Sequence, residues 1–404
     1  MAEETGTPSA PAAATAPSTA AAATAPSTAT AATAPSTAAA ATAPSATAAP
    51  STAAAPSSTA ADAAAPAPSA PSPTNHDEIH LPDLEVDTEV TDNDSTYGNE
   101  LSTYSASITS SVVDYKVENG RRYHAYREGR YMFPNDEDEQ DRLDMMHAMF
   151  SHMMHGKIFL APIGPNPGRV LDLGTGTGIW AIDFADSFPS AEVIGNDLSP
   201  IQPSLVPPNV KFVVDDFLEE WGYEDHPFHF VHARFLAAAI KTDDFVKLIK
   251  HAYKNTAPGG WVEFQDWDIM IRSDDGTTKG TSIEQYYIHI VGAFEKQGYE
   301  PRPGPKFKGW LEEAGFVDIH VQKYRIPMGT WPKDKYYKTL GTWNLMQAEA
   351  GFEGSAMAVL TRYANWSKDE VSVLAAKTKN DARNRAIHPV FDFYVVYGRK
   401  PENK

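Results

Sequence analysis

The sequence predicts an α/β fold: a doubly wound, mostly parallel sheet of seven strands, a helical insertion before the last strand and a disordered N-terminal tail. Three observations predict it. From Arg169 onward, seven short apolar runs alternate with stretches of helical spacing. The first run ends on three closely spaced glycines, Gly174, Gly176 and Gly178. Residues 1–75, by contrast, are almost entirely Ala, Thr, Pro and Ser. Strands separated by helices imply parallel pairing with helices on both faces of the sheet.

The tail comes first. Its only charges are Glu3, Glu4 and Asp62, and Thr-Ala-Pro-Ser recurs every nine residues from Thr15, Thr24, Thr33 and Thr42. Such a unit has no large apolar side chain to bury, and its proline removes a helix donor. Residues 76–100 then hold nine acids and no Lys or Arg. Residues 1–103 therefore read as tail and acidic neck, and 104–404 as the folded domain, with order beginning near Tyr104. Within that domain 104–168 forms an N-terminal cap and 328–390 the helical insertion.

Composition excludes several classes. The chain has 34 Lys plus Arg, 53 Asp plus Glu, and no cysteine. A disulfide framework and a thiolate metal site both need cysteine. No stretch approaches the roughly 18 apolar residues of a membrane span. The N-terminus has no basic segment followed by an apolar core, so no signal peptide is expected, and cytoplasm or nucleus is the expected location. The folded part keeps 34 basic and 41 acidic residues, a formal charge of −7. Duplex binding needs clustered Lys and Arg, so no direct nucleic-acid partner is expected.

The elements follow in order. Leu143, Met146, Phe150, Met153, Met154 and Ile158 recur at helical spacing behind an acidic first turn, where a helix dipole favours acids. His147, His152 and His155 share this helix; beside a methionine stripe, packing is the expected role, and no metal site is assigned. Strands are expected at 169–173, 192–197, 210–214, 228–232, 261–267, 316–325 and 391–399. Helices are expected at 179–188, 243–255 and 282–298, with one ending at Gly315 and two more at 335–349 and 368–383. A stretch as long as 328–390 exceeds any simple turn.

The glycine loop carries the chemistry. Glycines straight after a strand and before a helix let a ligand approach the backbone at the helix N-terminus. The dinucleotide fingerprint would need a small residue at 179, where Ile179 stands. Asp172, two residues before the loop, would repel a pyrophosphate but accept a hydrogen bond from an ammonium group. Asp197, at the end of the second strand, suits two ribose hydroxyls. Asp215 and Asp216 end the third strand and Phe217 follows, a carboxylate and a ring suited to adenine. Ammonium, ribose and adenine in that order describe S-adenosylmethionine. A nicotinamide-dependent oxidoreductase is disfavoured by Ile179 and Asp172.

Longer stretches carry a resemblance: ENGRRYHAY (118–126), YMFPNDEDEQDRLD (131–144), VLDLGTGTGIWAIDFAD (170–186), DLSPIQP (197–203), VPPNVKF (206–212), SDDGT (273–277), WPKD (331–334) and VVYGRKP (395–401). In these the chain resembles the class I S-adenosylmethionine-dependent methyltransferases, and more narrowly the fungal group of LaeA-like regulators and secondary-metabolite methyltransferases. The resemblance implies a cofactor loop of Asp172, Gly174, Thr175, Gly176 and Gly178. It implies a ribose acid at Asp197 beside Leu198, and an adenine contact at Asp216 and Phe217, with Asp215 the alternative should the register slip by one. It implies either an enzyme acting on a small-molecule acceptor or a nuclear regulator acting through protein partners.

Methyl transfer is an in-line displacement in which positioning does most of the work, and a base is needed only where the acceptor loses a proton. Candidates for a base, from the ends of strands four and five, are His232, Glu263 and Asp266. His226, His229 and His232 mimic a metal spacing, but strand residues three apart face opposite sides. Arg121, Tyr123, Tyr126 and Tyr131 are candidates for a lid or for surface packing. Trp267, Trp331 and Trp343 are candidates for an acceptor pocket, with helical core the more expected role. Asp274 and Asp275 belong to a turn and take no role.

Overall fold

The computed structural model describes residues 115–402. The tail and neck expected over 1–103, and the expected onset of order near Tyr104, lie outside the described residues.

The described chain begins with a hairpin, β1 (Lys116–Glu118) and β2 (Arg121–Tyr123). Asn119 and Gly120 turn it with φ of +54° and +85°, the left-handed pair that an Asn-Gly turn supplies. The first helix, α1 (Glu137–Met153), is capped by Asp136, whose side chain accepts from the Glu139 N–H. Arg121 grips the same Asp136 through two bonds of 2.6 and 2.7 Å. The helix buries Met146, Met149, Phe150 and Met153. It ends before Ile158, because His155 and Gly156 take positive φ and break the spiral.

Then the alternation begins: β3 (Arg169–Leu173), α2 (Ile179–Ser187), β4 (Glu192–Asp197), β5 (Val210–Val214), β6 (Phe228–Arg234), α3 (Thr242–Asn255) and β7 (Thr256–Arg272). After α4 (Ser282–Lys296) and α5 (Phe307–Ala314) come β8 (Val317–Pro327), α6 (Lys335–Tyr363), α7 (Lys368–Arg383) and β9 (Val390–Arg399). The seven strands from β3 to β9 form one sheet in the order β5-β4-β3-β6-β7-β9-β8. Pairing is parallel from β5 through β7, while β9 runs antiparallel to both β7 and β8. The strand order reverses at β3, flanked by β4 and β6, so a crevice opens beyond the carboxyl ends there.

Two elements outrun their expected lengths. β7 extends to Arg272 because β9 pairs with it as far as Arg272–Val390. α6 runs 29 residues, to Tyr363 rather than Glu349. Gly351 and Gly354 are poor helix formers, but packing needs them small. A Cβ on Gly354 would stand 2.4 Å from Nη1 of Arg121, and one on Gly351 would stand 2.8 Å from Cδ of Arg142. The arginines of the N-terminal segments thus lie against α6 because those two positions lack side chains.

Candidate functional site

The site grows from the end of β3. Gly174, Gly176 and Gly178 take φ of +64°, +59° and +82°, a geometry glycine adopts without strain. A Cβ on Gly178 would fall 2.4 Å from the Phe212 ring, so the loop closes tightly against β5. The Gly176 N–H donates to Oδ2 of Asp197 at 2.9 Å, and the Ser199 N–H donates to its Oδ1 at 2.9 Å. Both carboxylate oxygens are thereby aimed, and each keeps lone-pair capacity for a ligand. Burial pushes the Asp197 carboxyl up to about 6.

Asp172 is committed more fully. Thr175 Oγ1 donates to its Oδ2 at 2.6 Å, and Nδ1 of His232 lies 2.7 Å from its Oδ1. The His232 ring lies flat on Trp180, centroids 3.7 Å apart and planes 3° from parallel. Burial lowers the His232 pKa, against the opposing pull of Asp172, so the ring is neutral at pH 7. Nδ1 then carries the proton toward Asp172, and Nε2 presents a lone pair. That Nε2 is buried without a partner.

Arg234, two residues further along β6, faces the same side. Its Nη2 donates to Nδ1 of His147 at 2.9 Å, and its guanidinium lies 5.1 Å from the Phe150 ring centre. His147 in turn places Nε2 2.9 Å from Asp183. A histidine nitrogen and a phenyl face do not neutralise a guanidinium. Burial lowers the Arg234 pKa to about 10, and its Nη1 is buried without a partner.

At the other end, Asp216 accepts the Leu218 N–H on Oδ1 at 3.0 Å. Its Oδ2 stands 3.0 Å from Nη1 of Arg130, in an ion pair without an aligned hydrogen bond. Asp215 turns elsewhere and accepts the Asp216 N–H at 2.8 Å, as neighbouring residues at a strand end do.

Asp172, Gly174, Thr175, Gly176, Asp197, Leu198, Asp216 and Phe217 all border one crevice of about 1130 Å³, mouth included. His232 and Arg234 border it too, as do Arg130, Tyr131, Met146 and Phe150. Gly178 lies behind the loop, and Asp215 lies outside the crevice.

Several expectations need correction. Glu263 does not border the crevice: its Oε2 accepts the N–H groups of Leu160 and Ala161 at 2.8 and 2.6 Å, and Oε1 accepts from Gln265 at 2.7 Å. Asp266 accepts the N–H groups of Leu236 and Trp267 at 2.7 and 2.8 Å. Burial raises their carboxyls to about 7 and about 8. Both acids fasten loops, and of the three candidate bases only His232 borders the crevice.

Of the aromatic and basic segment, Tyr131 borders the crevice, with Arg130 beside it. Arg121 is spent on Asp136, and Tyr123 is buried beneath the Arg362 guanidinium. Tyr126 lies against Arg127. Trp267 borders a second cavity, while Trp331 is buried and donates to the Met328 carbonyl; Trp343 packs on the helical core. His152 and His155 both stack on Tyr336. Exposed His229 accepts the Arg169 N–H at 3.2 Å.

Arg234 is the residue that sequence reading passed over. The signal was present: a largely buried strand, Phe228 to Ala233, closing on a guanidinium.

A family model described as "Methyltransferase domain" matches residues 145–321. The chain is 39% identical over 336 residues to methyltransferase pytC of Aspergillus terreus, covering 82% of this chain and 98% of that one. It is 34% identical over 302 residues to the secondary metabolism regulator laeA of Aspergillus flavus, covering 74% and 80%. To the laeA regulator of Aspergillus fumigatus it is 35% identical over 291 residues, covering 70% and 76%.

Proposed function

Since the chain belongs to the class I S-adenosylmethionine-dependent methyltransferases, in the fungal group of pytC and the LaeA-like regulators, we propose that it transfers a methyl group to a small-molecule acceptor in secondary metabolism. The observation that carries this reading is the pair of partnerless buried atoms at one end of the crevice, His232 Nε2 and Arg234 Nη1. One accepts and the other donates with positive charge. Together they match the ammonium and carboxylate of an amino acid, and a buried guanidinium left unpaired is costly.

The remaining residues fit the rest of the cofactor. Asp197, held by two backbone N–H groups, takes the ribose hydroxyls, with Leu198 alongside. Asp216 takes the adenine amino group while Phe217 and Leu218 cover its faces. Asp172 keeps His232 in the right tautomer, and Gly174, Thr175 and Gly176 keep the backbone close, with Gly178 closing the loop behind.

When bound, S-adenosylmethionine supplies an electrophilic methyl: as an acceptor lone pair bonds to it, the carbon–sulfur bond breaks and its electrons stay on sulfur. The chain's part is to orient and to exclude water. Tyr131, Met146 and Phe150 give the crevice an apolar wall, and fixing two reactants in line is worth roughly 7–11 kcal/mol in favourable cases.

A second reading, a nuclear regulator working through protein partners, draws support from the laeA relatives; the higher identity and near-complete coverage of pytC favour the enzyme. Among the described residues no helix is long and apolar enough to cross a membrane. The test uses two ligands that differ only at the amino-acid end. Arg234→Ala is expected to weaken S-adenosylhomocysteine about ten- to hundredfold, the range for a hydrogen bond to a charged group, and to leave 5′-methylthioadenosine unchanged. Equal losses for both ligands would contradict the assignment.

A further inference from the structure

Behind the crevice lies a second cavity, about 680 Å³ with the open solvent at its mouth included, that no part of the cofactor assignment uses. Met146 and Phe235 border both spaces, so the two spaces adjoin at these two side chains. The cavity is enclosed by α1, α4, α6, β7 and β9, and Phe133, Trp267, Tyr286, Phe294, Phe352 and Phe391 line it.

Charge decides what enters. The one cation on the lining is Arg142, and Glu139 neutralises it with bonds of 2.8 and 2.6 Å. Arg142 Nη1 also donates to Gln347 Oε1 at 3.0 Å, Gln347 Nε2 donates to Asn344 Oδ1 at 2.8 Å, and Asn344 Nδ2 donates to the Pro327 carbonyl at 3.0 Å. Tyr286 donates its hydroxyl to the Phe352 carbonyl at 2.7 Å. The charged and amide groups of the wall are therefore consumed within the protein. Tyr287 and Ser355 line the cavity with no hydrogen bond to their hydroxyls. An ion entering would be desolvated with no free counter-charge, whereas an aromatic face meets aromatic faces in offset or edge contact.

We infer that this cavity holds the methyl acceptor, and that the acceptor is an uncharged aromatic molecule with a hydroxyl or carbonyl oxygen. This rests on the methyltransferase reading, because only that reading makes the junction at Met146 and Phe235 the place where two reactants meet. The helix α6, from the insertion between β8 and β9, supplies Asn344, Gln347, Ala348, Gly351 and Phe352 to the wall, and so selects the acceptor.

The experiment titrates the full chain calorimetrically with three probes of similar size: 2-naphthol, 2-naphthoate and decahydro-2-naphthol. The expected order places 2-naphthol first and the other two weaker by about tenfold or more, about 1.4 kcal/mol each. Ala348→Trp fills the cavity and is expected to abolish 2-naphthol binding, while Tyr287→Phe weakens it. S-adenosylmethionine is titrated against the same preparations, which verifies folding and separates the two claims. Absent 2-naphthol binding, a preference for naphthoate, or 2-naphthol binding unchanged in Ala348→Trp would overturn the inference. Loss of S-adenosylmethionine binding by the unaltered chain would instead overturn the cofactor reading, whatever 2-naphthol does.

Discussion

The glycine-loop crevice and the aromatic cavity touch at Met146 and Phe235 but are built by opposite rules. In the crevice, polar atoms are aimed and left waiting: His232 Nε2 and Arg234 Nη1 have no partner, and Asp197 is held by backbone N–H groups with lone pairs to spare. In the cavity, Arg142, Gln347 and Asn344 satisfy one another and Glu139 cancels the charge. On the proposed reading one space takes a zwitterion and a sugar, and the other takes ring faces. Unpaired polar atoms mark the place where a charged ligand belongs, and paired ones mark the place where it does not.

The sharpest way to break that contrast is Gly176→Asp. The new side chain would need φ of +59°, strained for any residue with a Cβ, and would set a carboxylate beside Asp197. S-adenosylmethionine binding is expected to fall below detection by calorimetry, with 2-naphthol binding retained. A biological phenotype that survived this change would favour the regulator over the enzyme.

The next effect is in pH. Burial pushes the Asp197 carboxyl up to about 6, and the proposed function has ribose hydroxyls bind its carboxylate form. Binding therefore expels a proton, and affinity should fall about tenfold per pH unit below 6, as read by titrations between pH 5 and 8. Protonation of His232 would act in the same direction, since an imidazolium repels an ammonium. A flat profile in Asp197→Asn would assign the effect to that residue.

How much of this could be read in the sequence follows the same division. Most of the crevice's lining was legible because its parts are local: glycines after a strand and acids near the ends of β3, β4 and β5. But Asp172, expected to meet an ammonium group, is engaged by Thr175 and His232 instead. Of the neighbouring acids Asp215 and Asp216, only Asp216 borders the crevice. The cavity was not legible, because its wall is drawn from α1, α4, α6, β7 and β9, and no spacing in one segment announces it. Trp267 was noticed, but helical core was the more expected role. Glu263 and Asp266 misled for a related reason. A carboxylate at a strand end looks the same in sequence whether it faces a ligand or the N–H groups of Leu160 and Leu236. The Asn119-Gly120 turn was a plain signal that was passed over, and α6 ran on because Arg121 and Arg142 pack where glycines leave room.

Those two misread acids set a smaller, global effect. Burial raises Glu263 to about 7 and Asp266 to about 8, so the folded chain holds protons that the unfolded chain releases near pH 4. A raised pKa gives stability that is complete at low pH and is lost as pH climbs through the folded value. Histidines with lowered values act only below about 6.5. Between pH 6.5 and 8 the unfolding free energy should therefore fall by on the order of 1 kcal/mol per pH unit for each acid still titrating, read as a falling melting temperature. Glu263→Gln should flatten part of that slope without altering cofactor affinity.

The smallest effect expected is that of Ala348→Trp on the crevice: less than twofold in S-adenosylmethionine affinity, because Ala348 lines the cavity and not the crevice.

The central claim is that the crevice grips an amino acid and a sugar rather than two phosphates. Parallel calorimetric titrations of the full chain with S-adenosylmethionine and with NAD test it most directly. Saturable binding of S-adenosylmethionine, lost in Gly176→Asp, with no heat from NAD is the expected result; NAD binding as tightly as S-adenosylmethionine, or more tightly, would contradict it.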